Sequence, residues 1–381
     1  MMPGKGTQMT FEQQLIDWRR ELHQNPELSG EEVATTARIR HWLESAGIRL
    51  LPYSLATGVV AEIGQGEKVI ALRADIDALP IQETSGVAFS SHNEGVMHAC
   101  GHDVHSSVIL GAALLLKARE SQLAGRVRLL FQPAEENFTG AKALIKAGAL
   151  ENVTAIFGMH NEPGLPVGTF ATRGGAFYAN VDRFILRVKG KGAHAARPHQ
   201  GNDPIVLASQ LVIALQTIAS RNIDTLDSVV VSVTRIQGGN TWNVLPEHVE
   251  LEGTVRTHNA DVQRHVEKRI SEIAAGLASA FGAHIEVEWF NGPITLLNDE
   301  QWAAFAMQVA QDFGYQTQTS ELHMGGEDFA VYLQNIPGAF VSIGSASAYG
   351  LHHSAFNPDE ALIEDAARYF ATLAEQALLV N

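Results

Sequence analysis

Apolar positions recur along this chain with two periods, and their succession predicts its elements. Leu15, Trp18 and Leu22 fall at helical spacing, behind Thr10-Phe11-Glu12-Gln13, which reads as a capping box. Pro26 closes that helix. Ser29-Gly30-Glu31-Glu32 reads as a second capping box, opening a helix with Val33, Ala37, Trp42, Leu43 and Ala46 that stops at Gly47. Short apolar runs predict strands over residues 59–63 and 69–74, joined by Gly64-Gln65-Gly66. The continuous apolar run 108–116 reads as a buried helix, and 126–131 and 155–159 as further strands. Strand, polar loop, helix is repeated. That is the grammar of an α/β sheet with its site at the carboxyl ends of the strands.

The pattern changes after residue 180. Strands over 184–188, 229–236, 248–255 and 285–290, with helices over 204–219 and 262–280, give a β-α-β-β-α-β order, the ferredoxin-like one. After Gly292-Pro293 the α/β grammar returns, with a helix near 299–313, a strand over 339–343 and a helix from Asp359. The expectation is a discontinuous first domain, 1–180 and 292–381, interrupted by an inserted domain, 181–291.

A length of 381 residues agrees with two cores rather than one. The net charge of −15 speaks against nucleic acid and anionic membrane partners, which need a basic surface. A single cysteine makes no intramolecular disulfide, so nothing calls for an oxidising compartment. No apolar run reaches the length of a membrane span, and residues 1–9 lack a signal-peptide core and read as a flexible leader. A cytoplasmic protein is expected.

The chemistry concentrates in a few loops. Residues 97–105 hold His98, Cys100, His102, Asp103 and His105 at the mouth of the buried helix. Thiolate and imidazole together suit zinc and other late first-row ions; each residue alone would read as a small buried hydrophobe or a helix cap. Asp75 and Asp77, alternate residues at a strand end, face one side, as ligands or as loop caps. In Glu135-Glu136 a turn must aim the two carboxylates apart, so that one binds metal while the other polarises its water. A solvated acidic turn is the bland alternative. His160 follows an apolar strand, where histidines are often core residues, and His352-His353 lies in a loop. His194 sits in the inserted domain, where a donor role toward substrate fits it better than metal binding. Asn243 and Arg256, at strand edges of that domain, would suit a substrate carboxylate, or serve as ordinary turn and strand residues.

Taken together, Ala74-Asp75-Ile76-Asp77-Ala78-Leu79-Pro80, residues 97–105, Phe131-Gln132-Pro133-Ala134-Glu135-Glu136, Gly158-Met159-His160, Asn243-Val244-Leu245-Pro246-Glu247, Gly326-Glu327-Asp328-Phe329 and Leu351-His352-His353 resemble a known family. It is that of hippurate hydrolases and auxin (indole-3-acetyl)–amino acid conjugate hydrolases, in the aminoacylase and carboxypeptidase group of dinuclear metallohydrolases. The likeness runs from about Phe11 to the C-terminal helix. It implies a zinc-peptidase-like, three-layer α/β/α catalytic domain with an inserted ferredoxin-like α+β lid. It implies two divalent ions (Zn, Mn, Co or Ni) held by Cys100, His102, Glu136, His160 and His352, with Glu135 as general base and Asp77 as a supporting carboxylate. His98, Asp103 and His105 would orient the ligands. His194 would reach the substrate carbonyl in a partner subunit's site, and Asn243 and Arg256 the amino acid part. Ser354 stands where the family's last motif carries proline, which leaves His353 open as the alternative ligand.

The implied function is hydrolysis of N-acyl amino acids (hippurate-like, N-acetyl or aryl-acyl) by a homodimer or higher homo-oligomer. N-acetyl-diaminopimelate deacetylation and dipeptide cleavage are the enzymatic alternatives. A metal- or ligand-binding protein without catalysis is the alternative of another class, and the presence of Glu135 and His194 speaks against it.

Overall fold

The computed structural model describes residues 9–380. The expected leader, apart from Met9, lies outside the described residues. The chain forms two compact units. The first takes in Met1–Gly175, Leu297–Glu321 and Val331–Asn381, the second Ala176–Leu296 and Leu322–Ala330.

The first unit is built on an eight-stranded sheet in the order Arg49–Leu50, Val59–Gly64, Arg126–Gln132, Val69–Asp75, Val153–Glu162, Gly338–Gly344, Thr169–Thr172 and Gln316–Thr319. The third to sixth of these run parallel to one another. Their carboxyl ends therefore point one way, and Asp75, Gln132 and His160 gather at one edge. Val69–Asp75 and Gly338–Gly344 are buried at every position, so both sheet faces are covered, as in layered α/β folds. The helices Phe11–Gln24, His102–Ala118 and Leu362–Leu379 share the main core through Leu15, Val108 and Ala367. Gly111 allows that packing, since a Cβ there would come within 2.7 Å of both Leu15 and Ala367.

Thr10 caps the first helix, accepting from the Gln13 amide at 3.1 Å. The second capping box does not form. The N-cap of Val33–Ser45 is Glu32, which makes no side-chain cap. The Ser29 hydroxyl instead donates to Oδ2 of Asp77 at 2.7 Å, a charge-assisted bond that holds the side chain away from the helix start.

The second unit contains a four-stranded antiparallel sheet in the order Val229–Gly238, His248–Thr257, Asn180–Lys189 and His284–Asn291. Numbered along the chain this is 2-3-1-4, the ferredoxin-like arrangement. In His248–Thr257, Val249, Leu251 and Val255 are buried and alternate with more exposed residues, so one face packs on the helices Pro204–Thr217 and Ala260–Phe281. One expectation is corrected here. By length and composition alone the segment Pro204–Asn222 could cross a membrane. Its Leu207, Leu211 and Leu215 lie in the core of this unit, so the apolar character serves sheet packing.

Candidate metal centre and active site

The loop before the helix His102–Ala118 ends at Gly101, which has φ +86° and acts as its N-cap. A Cβ at Gly101 would lie 2.2 Å from Nδ2 of Asn161, so only glycine fits this approach. The arrangement puts Sγ of Cys100 3.3 Å from Nε2 of His160. Nδ1 of His160 donates to the Asn161 carbonyl at 2.8 Å, which turns the other ring nitrogen toward the thiol as a lone pair. His102 is set in the same way. Its Nδ1 donates to Asp77, 2.9 Å from the carbonyl and 3.1 Å from Oδ1.

Nε2 of His102 is therefore the nitrogen turned toward the cluster. It is buried with no hydrogen-bond partner among the described residues. Three carboxylates surround it: Asp75 Oδ2 at 3.5 Å, Glu136 Oε1 at 3.7 Å and Glu135 Oε2 at 3.8 Å. Glu136 Oε1 is a second buried atom without a hydrogen bond, and Nε2 of His352 lies 3.4 Å from it. Donor atoms lie within 4.8 Å of one another in each of the sets Cys100-His102-His160, Cys100-Glu136-His352 and His102-Glu135-Glu136. Unsatisfied buried donor atoms of these types, arranged in overlapping sets, fit divalent cations. His353 is placed differently. Its Nδ1 accepts from the Ala355 amide at 3.0 Å, and its ring stacks on Tyr349 at 4.4 Å.

The electrostatics have the same sign. Burial would push His102 down, but the charges of Asp75, Asp77 and Glu136 and the hydrogen bond to Asp77 raise its pKa to about 10. Burial, then Glu136, Glu135 and Asp75, push the Cys100 thiol up. A cluster that holds a proton on imidazole and resists forming a thiolate is one that favours a bound cation.

A turn carries Glu135 and Glu136. Ala134 and Phe138 have left-handed φ values of +51° and +60°. The amides of Thr139 and Gly140 both donate to the Ala134 carbonyl, and Gly140 leaves no room for a Cβ. The expectation that the turn aims the carboxylates apart is corrected: both reach Nε2 of His102. The left-handed residue breaks the strand alternation that would have sent them to opposite faces. The Glu136 amide donates to Asp77 Oδ2 at 2.9 Å. Asp77 thus ties His102, Ser29 and Glu136 together.

His105 lies beneath the cluster. Its Nδ1 donates to Asp75 Oδ1 at 2.7 Å, and its Nε2 accepts from the Asn161 amide at 3.0 Å. Burial lowers its pKa to about 4, against the pull of Asp75. Asn161 also donates to the Cys100 carbonyl at 2.8 Å. Asp103 turns away from the ligands toward Arg19 and His23, at 2.9 and 2.8 Å. The ring nitrogens of the buried His98 have no hydrogen-bond partner among the described residues. Ser29 and Glu32 were read from sequence only as a capping box, and Asn161 only adjoined a candidate ligand.

His194, Asn243 and Arg256 belong to the second unit. His194 is exposed in a two-residue strand opposite Val244, and the Ala195 amide donates to the Asn243 carbonyl at 3.1 Å, so these two are neighbours. Arg256 is half-buried and donates to Thr254 Oγ1 and to the Met324 carbonyl, each at 3.1 Å.

Residues 71–376 match the model of Peptidase family M20/M25/M40. The chain belongs to this family. It is 48% identical over 367 residues to the N-acetylcysteine deacetylase of Bacillus subtilis, covering 96% of this chain and 97% of that one. It is 39% identical over 371 residues to IAA-amino acid hydrolase ILR1-like 2 of Arabidopsis thaliana, covering 94% and 84%. The crystal structure of the Bacillus subtilis YXEP protein, described as a dinuclear metal binding peptidase of the M20 family, superposes with a TM-score of 0.88. Its identity is 45%, with 97% of this chain and 99% of that one covered. The chain has the fold of this family and is a metallo-amidohydrolase, acting on amide bonds of N-acyl amino acids. The hippurate part of the expected likeness finds no counterpart in these relatives.

Proposed function

We propose that this enzyme removes a short acyl group from an amino acid nitrogen, releasing a carboxylic acid and a free amino acid. Two divalent ions, of Zn, Mn, Co or Ni, would be held by Cys100, His102, Glu136, His160 and His352. The observation that carries the reading is the convergence of Glu135 and Glu136 on the unpartnered Nε2 of His102. One carboxylate of such a pair suffices for binding; the second is available for proton transfer. The likeness to an N-acetylcysteine deacetylase favours a small acyl group on a small amino acid.

The ions, when bound, supply Lewis acidity that brings a water's pKa toward neutrality. Glu135 takes the water's proton on a carboxylate oxygen and passes it to the amide nitrogen as the C–N bond breaks. Asp77 stays off the substrate and fixes the His102 tautomer through Nδ1. His194 donates to the acyl oxygen as negative charge develops there, and Asn243 and Arg256 bind the amino acid portion. The same reading includes a cytoplasmic homodimer or higher homo-oligomer.

The test is a turnover panel of N-acetyl-L-cysteine, other N-acetyl amino acids, N-acetyl-diaminopimelate, an indole-3-acetyl amino acid, hippurate and dipeptides, each with the four metals. Preference for an N-acetyl amino acid is expected. Preference for dipeptides or hippurate would overturn the acyl assignment, and no turnover with any metal would favour a binding protein.

A further inference from the structure

Glu32 lies 102 residues from Ala134 in sequence, yet its carboxylate accepts the Ala134 amide at 2.8 Å. The same oxygen, Oε1, accepts the Gly30 amide at 2.9 Å, and Oε2 accepts the Thr57 hydroxyl at 2.8 Å. The side chain is wholly buried. No cationic partner among the described residues accounts for it: its hydrogen bonds come from backbone amides and a hydroxyl, and burial raises its pKa against them. A carboxylate in such surroundings costs stability unless it holds something in place. What it holds is the amide of a non-glycine residue at φ +51°, one position before Glu135. The neighbouring chain braces the same turn, since a Cβ at Gly58 would meet Pro133 Cδ at 2.7 Å.

We propose that Glu32 is the positioning residue for Glu135, its Oε1 pinning the left-handed Ala134 so that two adjacent carboxylates converge on His102. The inference rests on the reading of Glu135 as general base. Left-handed alanine is uphill, and beside the carbonyl bonds and the packing of this turn, a hydrogen bond of fixed direction to its amide helps keep it populated. Without that bond the backbone relaxes toward extended geometry, and Glu135 rotates away from the cluster.

Three replacements separate geometry from charge. Glu32→Gln keeps an acceptor for both amides, and its amide group donates to Thr57. Glu32→Asp keeps the charge but is one methylene too short. Glu32→Ala removes both. The metal-loaded enzyme with each change is assayed on the best substrate of the panel, with metal content measured alongside. Glu32→Asp and Glu32→Ala are expected to lower kcat by about 10–100-fold at unchanged metal content, with KM nearly constant, because a misplaced group is lost mainly from the reaction step. Glu32→Gln is expected to stay close to wild type. Adding Ala134→Gly to Glu32→Ala is expected to recover part of kcat, since glycine adopts the left-handed turn unaided.

Amide hydrogen exchange over residues 134–138 gives a readout independent of turnover. Faster exchange is expected with Asp and Ala, and not with Gln. Wild-type kcat and exchange in Glu32→Asp would overturn the proposal, as would a Gln variant as impaired as the Ala one. Should Glu32→Ala not fold, the opposite behaviour of Gln and Asp still decides. If Glu135→Gln itself turned over normally, the general-base reading would fall while the exchange data still judged the turn.

Discussion

Sγ of Cys100 and Nε2 of His160 stand 3.3 Å apart, though 60 residues separate them in sequence. Each arrives from a different sheet strand or loop, and Asn161 links the two by donating to the Cys100 carbonyl. The pair sets the spacing of the thiol end of the centre.

Replacing Cys100 by Ser removes the thiolate and leaves the fold's other ties intact. Metal retention after dialysis against a mild chelator should fall by more than the roughly 10–100-fold that loss of an outer hydrogen-bond partner costs. Elemental analysis checks this, and full occupancy in the variant would speak against Cys100 as a ligand.

Gly101→Ala should destabilise the protein by about 1–3 kcal/mol, the cost of a non-glycine residue held at positive φ. The Cβ also displaces Asn161, whose Nδ2 it would meet at 2.2 Å. Denaturant unfolding measures the loss, and an unchanged midpoint would show that the approach of loop and strand is looser than this.

The line of sequence legibility runs between local and long-range features. The strands leading into the candidate site were legible because their apolar runs end in Asp, Gln or His, as at 69–75 and 126–132. The second unit's ferredoxin-like order was legible because its strands and helices follow unambiguous periods. Thr169–Thr172 and Gln316–Thr319 were not, being short and polar enough to read as loop. The misread capping box has a tertiary cause: Ser29 and Glu32 satisfy the local pattern, but Asp77 and Ala134, distant in sequence, claim their side chains. The candidate ligand residues were legible as types in motifs. The left-handed Ala134 and the convergence of both glutamates were not, since no residue at that position announces positive φ.

A buried network behind the centre predicts a pH response in stability. His23 donates from both ring nitrogens, to Asp103 at 2.8 Å and Glu83 at 2.9 Å. Burial and then Arg19 push its pKa down, but the charge of Asp103 and the two hydrogen bonds outweigh them, and the pKa ends above the ordinary 6.5. A raised folded-state value stabilises below the unfolded value and is lost as pH climbs through the folded one. The stability advantage of wild type over His23→Gln should therefore be greater at a pH below the ordinary imidazole value of about 6.5 than at an alkaline pH, shrinking as pH climbs through the raised folded value. Denaturation midpoints at the two values check it, and an advantage that grows with pH would contradict the protonated, doubly bonded imidazole.

The central claim is that Glu135 moves the proton while Glu136 helps hold the ions. The most direct measurement is kcat of Glu135→Gln on the preferred N-acyl amino acid, with metal content determined on the same sample. The expected result is full metal content with kcat lower by about 10²–10⁴-fold, the usual contribution of a general base. Turnover near wild type at full metal content would contradict it.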